Sequence, residues 1–389
     1  MQSQNKLKIL MVTGVFYPEL NGAVLQCMQL IENLSGSIEF SVLSGSNSKI
    51  DNKDCVNEGL HLTSVFMPKL KKIEYIKGAI HFFICLIALI KKADLVHIHG
   101  FSKRNAIVIG ICRILNKKVI LKMTSYGHDD PLNIKKSSFI FWQLFKCCHA
   151  YIGISPAFLV SYQEAGLPEA KYNFIPNFVD LNKFSPSKLD EKKRLKSKYG
   201  FADSDRIVLF VGHFSIEKRP LLAYKIWLQL QHLNPNVKLI FIGYTKNLYE
   251  VDDSIVDTIK FDAASQDVLS SIFFVENTLH VHEYMKIADI FLLPSIREGL
   301  PNVLLEAMAC GLKCFVTNLS GVTDWIVKDN RSGFLFNSDN PEDWVEKIKP
   351  YILELASPEI GFEARRIVEN KFSSAITALA VNNLYKKIS

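Results

Sequence analysis

Two glutamates, Glu298 and Glu306, occupy a setting that suits the binding of a polar ligand. They lie in the segment 297–311, which reads REGLPNVLLEAMACG and follows a short apolar run. The run predicts a buried strand, and the segment predicts a helix that begins near Pro301 and ends before Gly311. Free N–H groups at a helix start bind phosphate, and carboxylates accept hydrogen bonds from hydroxyl groups. The pattern therefore indicates a ligand with both groups, such as a sugar nucleotide.

The predicted helix is apolar on all sides except at Asn302 and Glu306, which are four residues apart and share one face. Such a helix should be buried, and a buried carboxylate is costly unless a donor binds it. A ligand could supply that donor. The alternative is a purely structural helix, in which an arginine or lysine of the core pairs with Glu306.

The segment resembles the Glu-x7-Glu motif of the retaining GT-B glycosyltransferases, the GT4-like group, whose approximate pattern is E-G-[FL]-P-x-x-x-L-E-A-[ML]-A-x-G. The chain matches almost every position. The resemblance implies that Glu306 accepts hydrogen bonds from the ribose of a nucleotide-sugar donor and that Glu298 holds the transferred sugar. The implied donor-binding set also includes Gly299, Leu300 and Asn302.

A second segment, 211–218, ends a predicted strand and opens a helix. It resembles the family's G-R-x-x-x-x-K pattern, whose basic residues hold the donor's diphosphate. Lys218 occupies the lysine position, and an ammonium group neutralises phosphate as a point charge. His213 replaces the arginine and offers one or two donors without the guanidinium fork. Considered alone, Lys218 could equally be an exposed lysine at a helix start.

Near the N-terminus, the segment 16–24 follows the first predicted strand and resembles the family's Y-P-x-x-G-G loop, with Asn21 at the first glycine. Gly22 would let the backbone approach phosphate oxygens and start the next helix. The alternative is a plain turn between strand and helix.

Three histidines are further candidates. His97 and His99 alternate on one predicted strand, so they share a face, but a metal pair would need further ligands, and none are visible nearby. This D-x-V-H-x-H-G pattern is similar to the family's, which implies that His99 contacts acceptor or donor. In the segment 124–130, where many relatives carry His-Gly, this chain has Tyr126. Either His128 makes the contact with the reacting sugar, or the contact is made differently; His128 is the first candidate, ahead of Asp129.

We expect no metal cofactor. Asp203 and Asp205 form an Asp-x-Asp, but they lie in a charged loop before a strand, which predicts a solvated turn. Without a metal, Lys218, His213 and helix-start N–H groups would stabilise the departing diphosphate.

The chain as a whole is predicted to be an α/β protein, because short apolar runs alternate with longer helical patterns. Two Rossmann-like, doubly wound parallel sheets facing a cleft are expected, and the resemblance identifies this arrangement as GT-B. The predicted strands are 8–13, 40–43, 95–98, 118–123 and 150–154 in one sheet, and 207–212, 238–242, 272–275, 290–294 and 313–317 in the other.

The domain boundary is predicted near residue 182. The segment 175–184 resembles the family's P-N-G-V-D-x-x-x-F, with Phe178 in place of glycine. The expected domains are an acceptor-side domain, 1–182, and a nucleotide-sugar domain, 183–373. The resemblance implies that a final helix, within 374–389, packs back on the first domain.

The composition of the chain limits the classes of protein to which it can belong. The 389 residues are 48% hydrophobic and 22% charged, as in a globular protein, and the eight cysteines include no zinc spacing. The first apolar run is too short for a signal peptide, so a cytoplasmic protein is expected. The net charge of +7 comes without a nucleic-acid motif, so nucleic acid is not an expected partner.

The longest apolar stretch, Ala79–Ile90, is too short to span a bilayer, but lysines flank it on both sides. The region 68–92 could therefore touch the inner face of an anionic membrane, or it could be a core helix with solvated ends.

Together these features predict a retaining glycosyltransferase that moves a sugar from a nucleotide-diphosphate donor to an acceptor hydroxyl. The expected acceptor is a glycan or a lipid-linked glycan of a cell-surface polysaccharide or lipopolysaccharide. The alternatives are a GT-B-like nucleotide-sugar epimerase and a non-catalytic partner that binds sugar nucleotide or polysaccharide.

Overall fold

The structure is a computed structural model that describes residues 6–16, 22–46, 60–68, 71–245, 251–276, 278–353 and 359–389. Its contacts divide the chain into two compact units. Unit 1 consists of Met1–Asn177 and Ser374–Ser389, and unit 2 of Phe178–Ser373. The seven cysteines in the described residues are all free thiols.

The described part of unit 1 contains strands β1 (Leu7–Val12), β2 (Ile38–Ser46), β3 (Leu60–Phe66), β4 (Leu95–His99), β5 (Lys118–Lys122), β6 (Ala150–Gly153) and β7 (Tyr172–Phe174). Its helices are α1 (Gly22–Leu34), α2 (Lys72–Lys92), α3 (Lys103–Ile114), α4 (Pro131–Ser137), α5 (Phe139–Phe145), α6 (Pro156–Glu164) and α15 (Ser374–Ile388). The sheet is parallel, in the order β3-β2-β1-β4-β5-β6-β7.

The described part of unit 2 contains strands β8 (Arg206–Val211), β9 (Val237–Ile242), β10 (Ile272–Val275), β11 (Ile290–Leu293), β12 (Lys313–Thr317) and β13 (Phe334–Phe336). Its helices are α7 (Leu189–Lys198), α8 (Pro220–Leu233), α9 (Asp253–Ser265), α10 (Val281–Ile287), α11 (Asn302–Ala309), α12 (Thr323–Ile326), α13 (Pro341–Ile352) and α14 (Glu359–Lys371). This sheet is also parallel, in the order β10-β9-β8-β11-β12-β13.

The prediction of two doubly wound parallel sheets is confirmed. Each of the ten predicted strands is present, and the final helix is observed over Ser374–Ile388. The strands of such sheets are covered on both faces, which is why they read as continuous apolar runs: the central strand β8, for example, is buried from Ile207 to Phe210.

Helix α2 is longer than the apolar stretch from which it was predicted. It has 21 residues, because Ile73, Tyr75 and Ile76 extend the apolar composition by two turns before Ala79. By length and composition alone, α2 is long and apolar enough to cross a membrane, which corrects the expectation from the stretch Ala79–Ile90. One face of α2 nevertheless packs into unit 1, through side chains of which Phe82, Leu86 and Ile90 are fully buried.

Candidate functional site

In unit 2, the predicted donor-binding residues lie at the point where the strand order reverses. Strands β8 and β11 are neighbours at the centre of the sheet, and the chain continues outward from them in opposite directions. Ligands of open parallel sheets bind at the carboxyl ends of the strands at such a switch point. His213 and Lys218 follow β8, and Glu298 follows β11. The fold therefore brings the two predicted motifs together.

An ion pair joins these motifs directly. Lys218 Nζ donates to Glu298 Oε1 at 2.6 Å, and the Glu298 side chain is only 9% exposed. Because Glu298 is largely removed from water, the ammonium group of Lys218 provides the charge that compensates it. The pair fixes the carboxylate and the cation of the predicted site relative to each other.

A second ion pair, which the sequence analysis missed, lies beside the first. Arg297 Nη2 lies 2.5 and 2.6 Å from the two carboxylate oxygens of Glu217, and the backbone N–H of Ile296 donates to the Glu217 carbonyl at 2.9 Å. These contacts bind the loop after β8 to the loop after β11. The signal was present in the sequence as two dipeptides of complementary charge, Glu217-Lys218 and Arg297-Glu298.

Two glycines allow the ends of β8 and β9 to approach closely. Gly243 has φ of 153°, and a Cβ placed on it would lie 2.0 Å from the carbonyl oxygen of Gly212. No other residue fits there without moving the backbone. His213, the residue after Gly212, lies with its ring centroid 5.6 Å from that of Tyr244. The close approach of the two strand ends therefore positions His213.

Helix α11 begins as predicted, with a small shift. Its first residue is Asn302, and Pro301 is the N-cap residue in an extended conformation, not a residue of the first turn. Gly299 and Leu300 are buried in the turn between Glu298 and the helix. Gly311 follows the helix with φ of 73°, the left-handed conformation that ends helices. The predicted apolar helix is confirmed as buried.

Glu306 is a buried carboxylate on α11, 9% exposed. Within the described residues, no donor forms a hydrogen bond or ion pair with its side chain. Burial raises the pKa of its carboxyl group to about 7, and the positive charge of Lys183 opposes this only in part. Among the residues that the structure describes, Glu306 therefore lacks the partner that a buried carboxylate usually has.

The structural alternative for Glu306 required a core arginine or lysine beside it. Arg365 lies near the end of α11, but its Nη1 donates to the carbonyls of Ala309 and Phe184, and its Nε to Glu369. The described residues therefore do not pair Glu306 with a cation of the core. This leaves its hydrogen-bonding capacity for a ligand.

In unit 1, Gly22 is the first residue of α1. Residues 17–21 of the predicted segment 16–24 lie outside the described residues. The end of β1 is joined to α3 by Arg104, whose Nη2 donates to the carbonyls of Thr13 and Gly14 at 2.9 and 3.0 Å. Strands β1 and β4 form the switch point of this sheet, so Gly22 follows a strand of that switch point.

His97 and His99 share a face of β4, as predicted, with their ring centroids 4.4 Å apart. Both are buried: His97 Nδ1 lies 2.6 Å from the Tyr385 hydroxyl, and neither ring nitrogen of His99 has a partner in the described part of the chain. Burial and the charge of Lys122 lower the pKa of His97 to about 3 and that of His99 well below its usual value. Both rings are therefore neutral, and His99 lies inside unit 1.

His128 is exposed in the turn after β5. The next residue, Asp129, is buried, and its carboxylate accepts hydrogen bonds from the backbone N–H groups of Phe101, Thr124 and Ser125 and from the Thr124 hydroxyl. Asp129 therefore joins the loops after β4 and β5. That role shapes the turn that presents His128.

The Asp-x-Asp segment forms the predicted turn, although only half of it is solvated. Asp203 is exposed, whereas Asp205 is buried and its Oδ2 accepts from the Ala202 backbone N–H at 2.8 Å. Asp205 therefore closes the turn.

The described residues contain one cluster with metal-ligand chemistry: His280, His282 and Glu283, whose donor atoms lie within 4.8 Å of one another. The Glu283 carboxylate there already accepts from Lys198 Nζ and the Tyr199 hydroxyl. The adjacent ammonium disfavours a second cation, so we assign no metal to this cluster.

Comparison with known proteins shows that part of the chain matches a known family. Residues 191–360 match the family described as Glycosyl transferases group 1. The chain is 30% identical over 214 residues to the capsular polysaccharide biosynthesis glycosyltransferase CapM of Staphylococcus aureus. This match covers 54% of this chain and 52% of CapM.

It is 26% identical over 194 residues to the UDP-Gal:alpha-D-GlcNAc-diphosphoundecaprenol alpha-1,3-galactosyltransferase of Escherichia coli, covering 49% of this chain and 47% of that one. The chain spans about half the length of the curated relatives it matches.

A solved structure shows the fold over nearly the whole chain. HepE of Anabaena, in complex with UDP-glucose, matches with a TM-score of 0.79 at 16% identity, covering 98% of this chain and 100% of that one. The predicted GT-B fold is thereby confirmed.

Proposed function

We propose that the chain, whose residues 191–360 match the family described as Glycosyl transferases group 1, is a retaining glycosyltransferase that uses a nucleotide-diphosphate sugar. It would transfer the sugar to an acceptor hydroxyl during assembly of a cell-surface polysaccharide or lipopolysaccharide. The observation that carries this proposal is Glu306, a buried carboxylate with no donor among the described residues, on the helix that follows the Lys218–Glu298 pair.

Glu306 is assigned to the ribose of the donor. The two ribose hydroxyls would donate to its carboxylate and provide the hydrogen bonds that the described residues do not. Because these bonds stabilise the ionised form, they would lower the pKa of Glu306 from about 7. Donor binding near pH 6 to 7 should therefore release a proton, and affinity should rise with pH over that range.

Glu298 and Lys218 are assigned to the sugar and the diphosphate. Lys218 Nζ is 2.6 Å from Glu298 in the described structure, so a phosphate oxygen would compete with Glu298 for the same ammonium group. The exchange would leave Glu298 able to accept from a sugar hydroxyl. Glu298 and the N–H groups of Gly299 and Leu300 would then hold the sugar, and Asn302 completes the proposed donor set.

His213, which follows β8, and, in unit 1, Gly22, the first residue of α1, are assigned to phosphate contacts. We expect no metal cofactor, because Lys218, His213 and helix-start N–H groups would stabilise the departing diphosphate. Turnover should therefore continue when EDTA is added.

The proposed chemical step needs no side chain as nucleophile. The bond between the anomeric carbon and the phosphate oxygen breaks, the acceptor oxygen bonds to the same face of that carbon, and the acceptor proton moves to the departing phosphate. Two acids near the strand ends of unit 1 already have structural partners: Asp129 holds the loops after β4 and β5, and Asp130 caps α4 and accepts from Ser161. A glycosyl adduct trapped on any side chain would rule this step out.

The acceptor is proposed to be a glycan or lipid-linked glycan, met in the cytoplasm at the inner face of the membrane. The names of CapM and of the E. coli galactosyltransferase, which refer to capsule and to a diphosphoundecaprenol acceptor, support this class. His128, exposed after β5, is the proposed contact with the reacting sugar. His99, at the end of β4, is the second candidate, although its burial would require a local opening.

The proposal is tested with UDP-, GDP- and ADP-sugars. We expect one base to bind by calorimetry, with proton release between about pH 6 and 7, and slow hydrolysis to release nucleotide both with and without EDTA. Glu306→Ala should weaken binding of that donor by about tenfold or more, since charge-assisted hydrogen bonds are lost. Glu363→Gln, a surface change on α14, is the control. Unchanged affinity in Glu306→Ala would overturn the proposal.

The non-catalytic alternative is favoured by two departures from the family pattern: His213 at the arginine position and Tyr126 at the histidine position. Donor binding without any nucleotide release, in the presence of candidate acceptors, would support it. An epimerase would instead interconvert the donor sugar while the nucleotide stays attached.

A further inference from the structure

Unit 1 exposes a continuous row of isoleucines along α2. Ile73, Ile76, Ile80, Ile84 and Ile87 follow helical spacing, and their side chains are 39% to 72% exposed. The opposite face of the helix is buried in unit 1. Single exposed apolar residues are ordinary. A stripe of five on one helix, however, marks a surface that contacts a partner or a membrane.

The neighbouring helices extend this surface. α2 contacts α3, and α3 contacts α5. Ile107 and Ile114 are exposed on α3, and Phe139 and Ile140, at the start of α5, are 75% and 68% exposed. We name the isoleucine stripe of α2 together with these four side chains the apolar face of unit 1.

The charge around the apolar face is predominantly positive. Helices α2 to α5 contain nine lysines and arginines and a single acidic residue, Glu74, which lies 3.8 Å from Lys71. Lys72 and Lys77 flank the start of the stripe, and Lys91 and Lys92 follow its end. The surface therefore presents isoleucine and phenylalanine side chains among lysines.

We propose that the apolar face is a docking surface for an anionic phospholipid bilayer. An interfacial helix inserts an apolar face among the acyl chains while its lysines meet anionic headgroups, which is the composition seen here. Protein interfaces differ, since their cores favour Tyr, Trp and Arg and are depleted in lysine. The proposal deepens the proposed function, because it names the surface through which an enzyme with a lipid-linked acceptor would reach it.

The helix lies in the plane of the membrane and does not span it. With 21 residues, α2 is about 31 Å long, enough to cross a hydrocarbon core. However, Phe82, Leu86 and Ile90 are fully buried, and Arg104 lies over the Phe82 ring at 4.8 Å. A spanning orientation would remove these side chains from the core of unit 1. Docking through the exposed face keeps them in place.

The test is sedimentation of the full chain with vesicles. We expect binding to phosphatidylglycerol–phosphatidylethanolamine vesicles, weakening with salt, and little binding to phosphatidylcholine. Two variants should each reduce the partition coefficient about tenfold or more: Ile76→Ser/Ile80→Ser/Ile84→Ser, and Phe139→Ser/Ile140→Ser. The substituted side chains are exposed, so the variants should fold and should hydrolyse donor at the unchanged rate.

Matched controls remove the same kinds of side chain elsewhere. Phe261→Ser/Phe362→Ser changes two exposed phenylalanines of unit 2 and should leave vesicle binding unchanged. Lys72→Gln/Lys77→Gln should weaken binding, whereas Lys225→Gln/Lys347→Gln should not.

Two results would overturn the proposal. One is wild-type protein that does not bind anionic vesicles. The other is equal loss of binding in the controls. If the isoleucine variant instead dissolves a homodimer and vesicle binding is absent, the surface serves a second copy of the chain and the proposal fails. Because donor hydrolysis is read separately, failure here is distinguishable from failure of the proposed function.

Discussion

At the scale of single residues, Glu306 links a cost in stability to a proposed use in binding. Below about pH 4.5 its carboxyl group is protonated in both the folded and the unfolded chain, so it costs nothing. As the pH rises, the unfolded chain ionises first, and stability falls until the folded carboxyl ionises at about pH 7. The shift from 4.5 to about 7 corresponds to about 3 kcal/mol.

We expect Glu306→Gln, which cannot ionise, to raise the free energy of unfolding by about 1 to 3 kcal/mol at about pH 8 and to change it little at about pH 4.5. The same substitution should weaken nucleotide binding, because an amide oxygen accepts less strongly than a carboxylate. Urea unfolding at both pH values measures the first effect and calorimetry the second. A gain in stability that is equal at both pH values would contradict the explanation.

Lys122 is a buried cation, as Glu306 is a buried carboxylate. It is buried at the end of β5 opposite His99, and it faces His97 and Cys27 with no acidic partner among the described residues. Burial lowers its pKa to about 8. Below that pH the lysine is charged in both states and the cost of burial is complete. Between about pH 8 and 10.5 only the unfolded chain stays charged, so stability rises with pH.

Lys122→Met should therefore raise the free energy of unfolding by about 1 to 3 kcal/mol near pH 7, with a smaller gain near pH 10. Lys118→Met, at the exposed start of the same strand, is the control and should have no comparable effect. Denaturant unfolding of both variants at the two pH values gives the comparison. A loss of stability in Lys122→Met at neutral pH would show that the ammonium has a favourable partner.

The sequence indicates which residues form the unit 2 site, but it does not indicate their pKa values or all of their ion pairs. Glu298, Glu306 and Lys218 could be chosen from motif spacing, because helix periodicity and strand ends fix where such residues lie. The pKa of Glu306 could not be predicted, since it depends on which elements cover α11. The Glu217–Arg297 pair was also missed, because pairing between loops requires the strand order that makes β8 and β11 neighbours.

At the scale of elements, α11 is held by an unusually close contact with α14. A Cβ placed on Gly361 would lie 2.2 Å from the carbonyl oxygen of Gly311, which follows α11. Two backbones can approach this closely only when a side chain is absent. The contact therefore fixes the helix that carries Glu306.

Gly361→Ala should push α14 away from the end of α11 and lower the free energy of unfolding by about 1 to 3 kcal/mol. Donor affinity should fall as well, because Glu306 moves with its helix. Gly36→Ala is the matched control, since a Cβ at Gly36 meets nothing within 4 Å. Urea unfolding and calorimetry on both variants provide the measurement. If the two variants behave alike, the close contact does not hold α11.

Among the elements, central strands were predictable and most edge strands were not. Strands β3, β7 and β13, absent from the predictions, each end a sheet. β7 and β13 have three residues each, and in the seven-residue β3 only Leu62 and Val65 are buried. Burial on both faces produces the long apolar runs from which strands are recognised. β7 and β13 are too short to form such a run, and β3 is mostly partly exposed, so these three edge strands were not recognised from the sequence.

At the scale of the whole molecule, each unit has its own core, and the last helix of the chain belongs to the first unit. α15 packs on α1, and the buried ring of Tyr385 contacts His97 through a 2.6 Å hydrogen bond. In unit 2, Trp344 is buried with its ring stacked on Phe336 at 4.1 Å and its Nε1 donating to Ser338. Tyr385 and Trp344 are therefore suitable positions for testing the stability of each core separately.

Removal of either aromatic ring should destabilise one unit selectively. Tyr385→Ala should cost about 3 to 5 kcal/mol and reduce amide hydrogen-exchange protection in peptides from 6–177 and 374–389, because the cavity lies in the core of unit 1. Trp344→Ala should do the same in 178–373 and leave unit 1 protected. Equal loss of protection across the chain in both variants would mean that the units unfold together. In that case stability effects measured in unit 2, including those of Glu306→Gln and Gly361→Ala, would report on the whole chain.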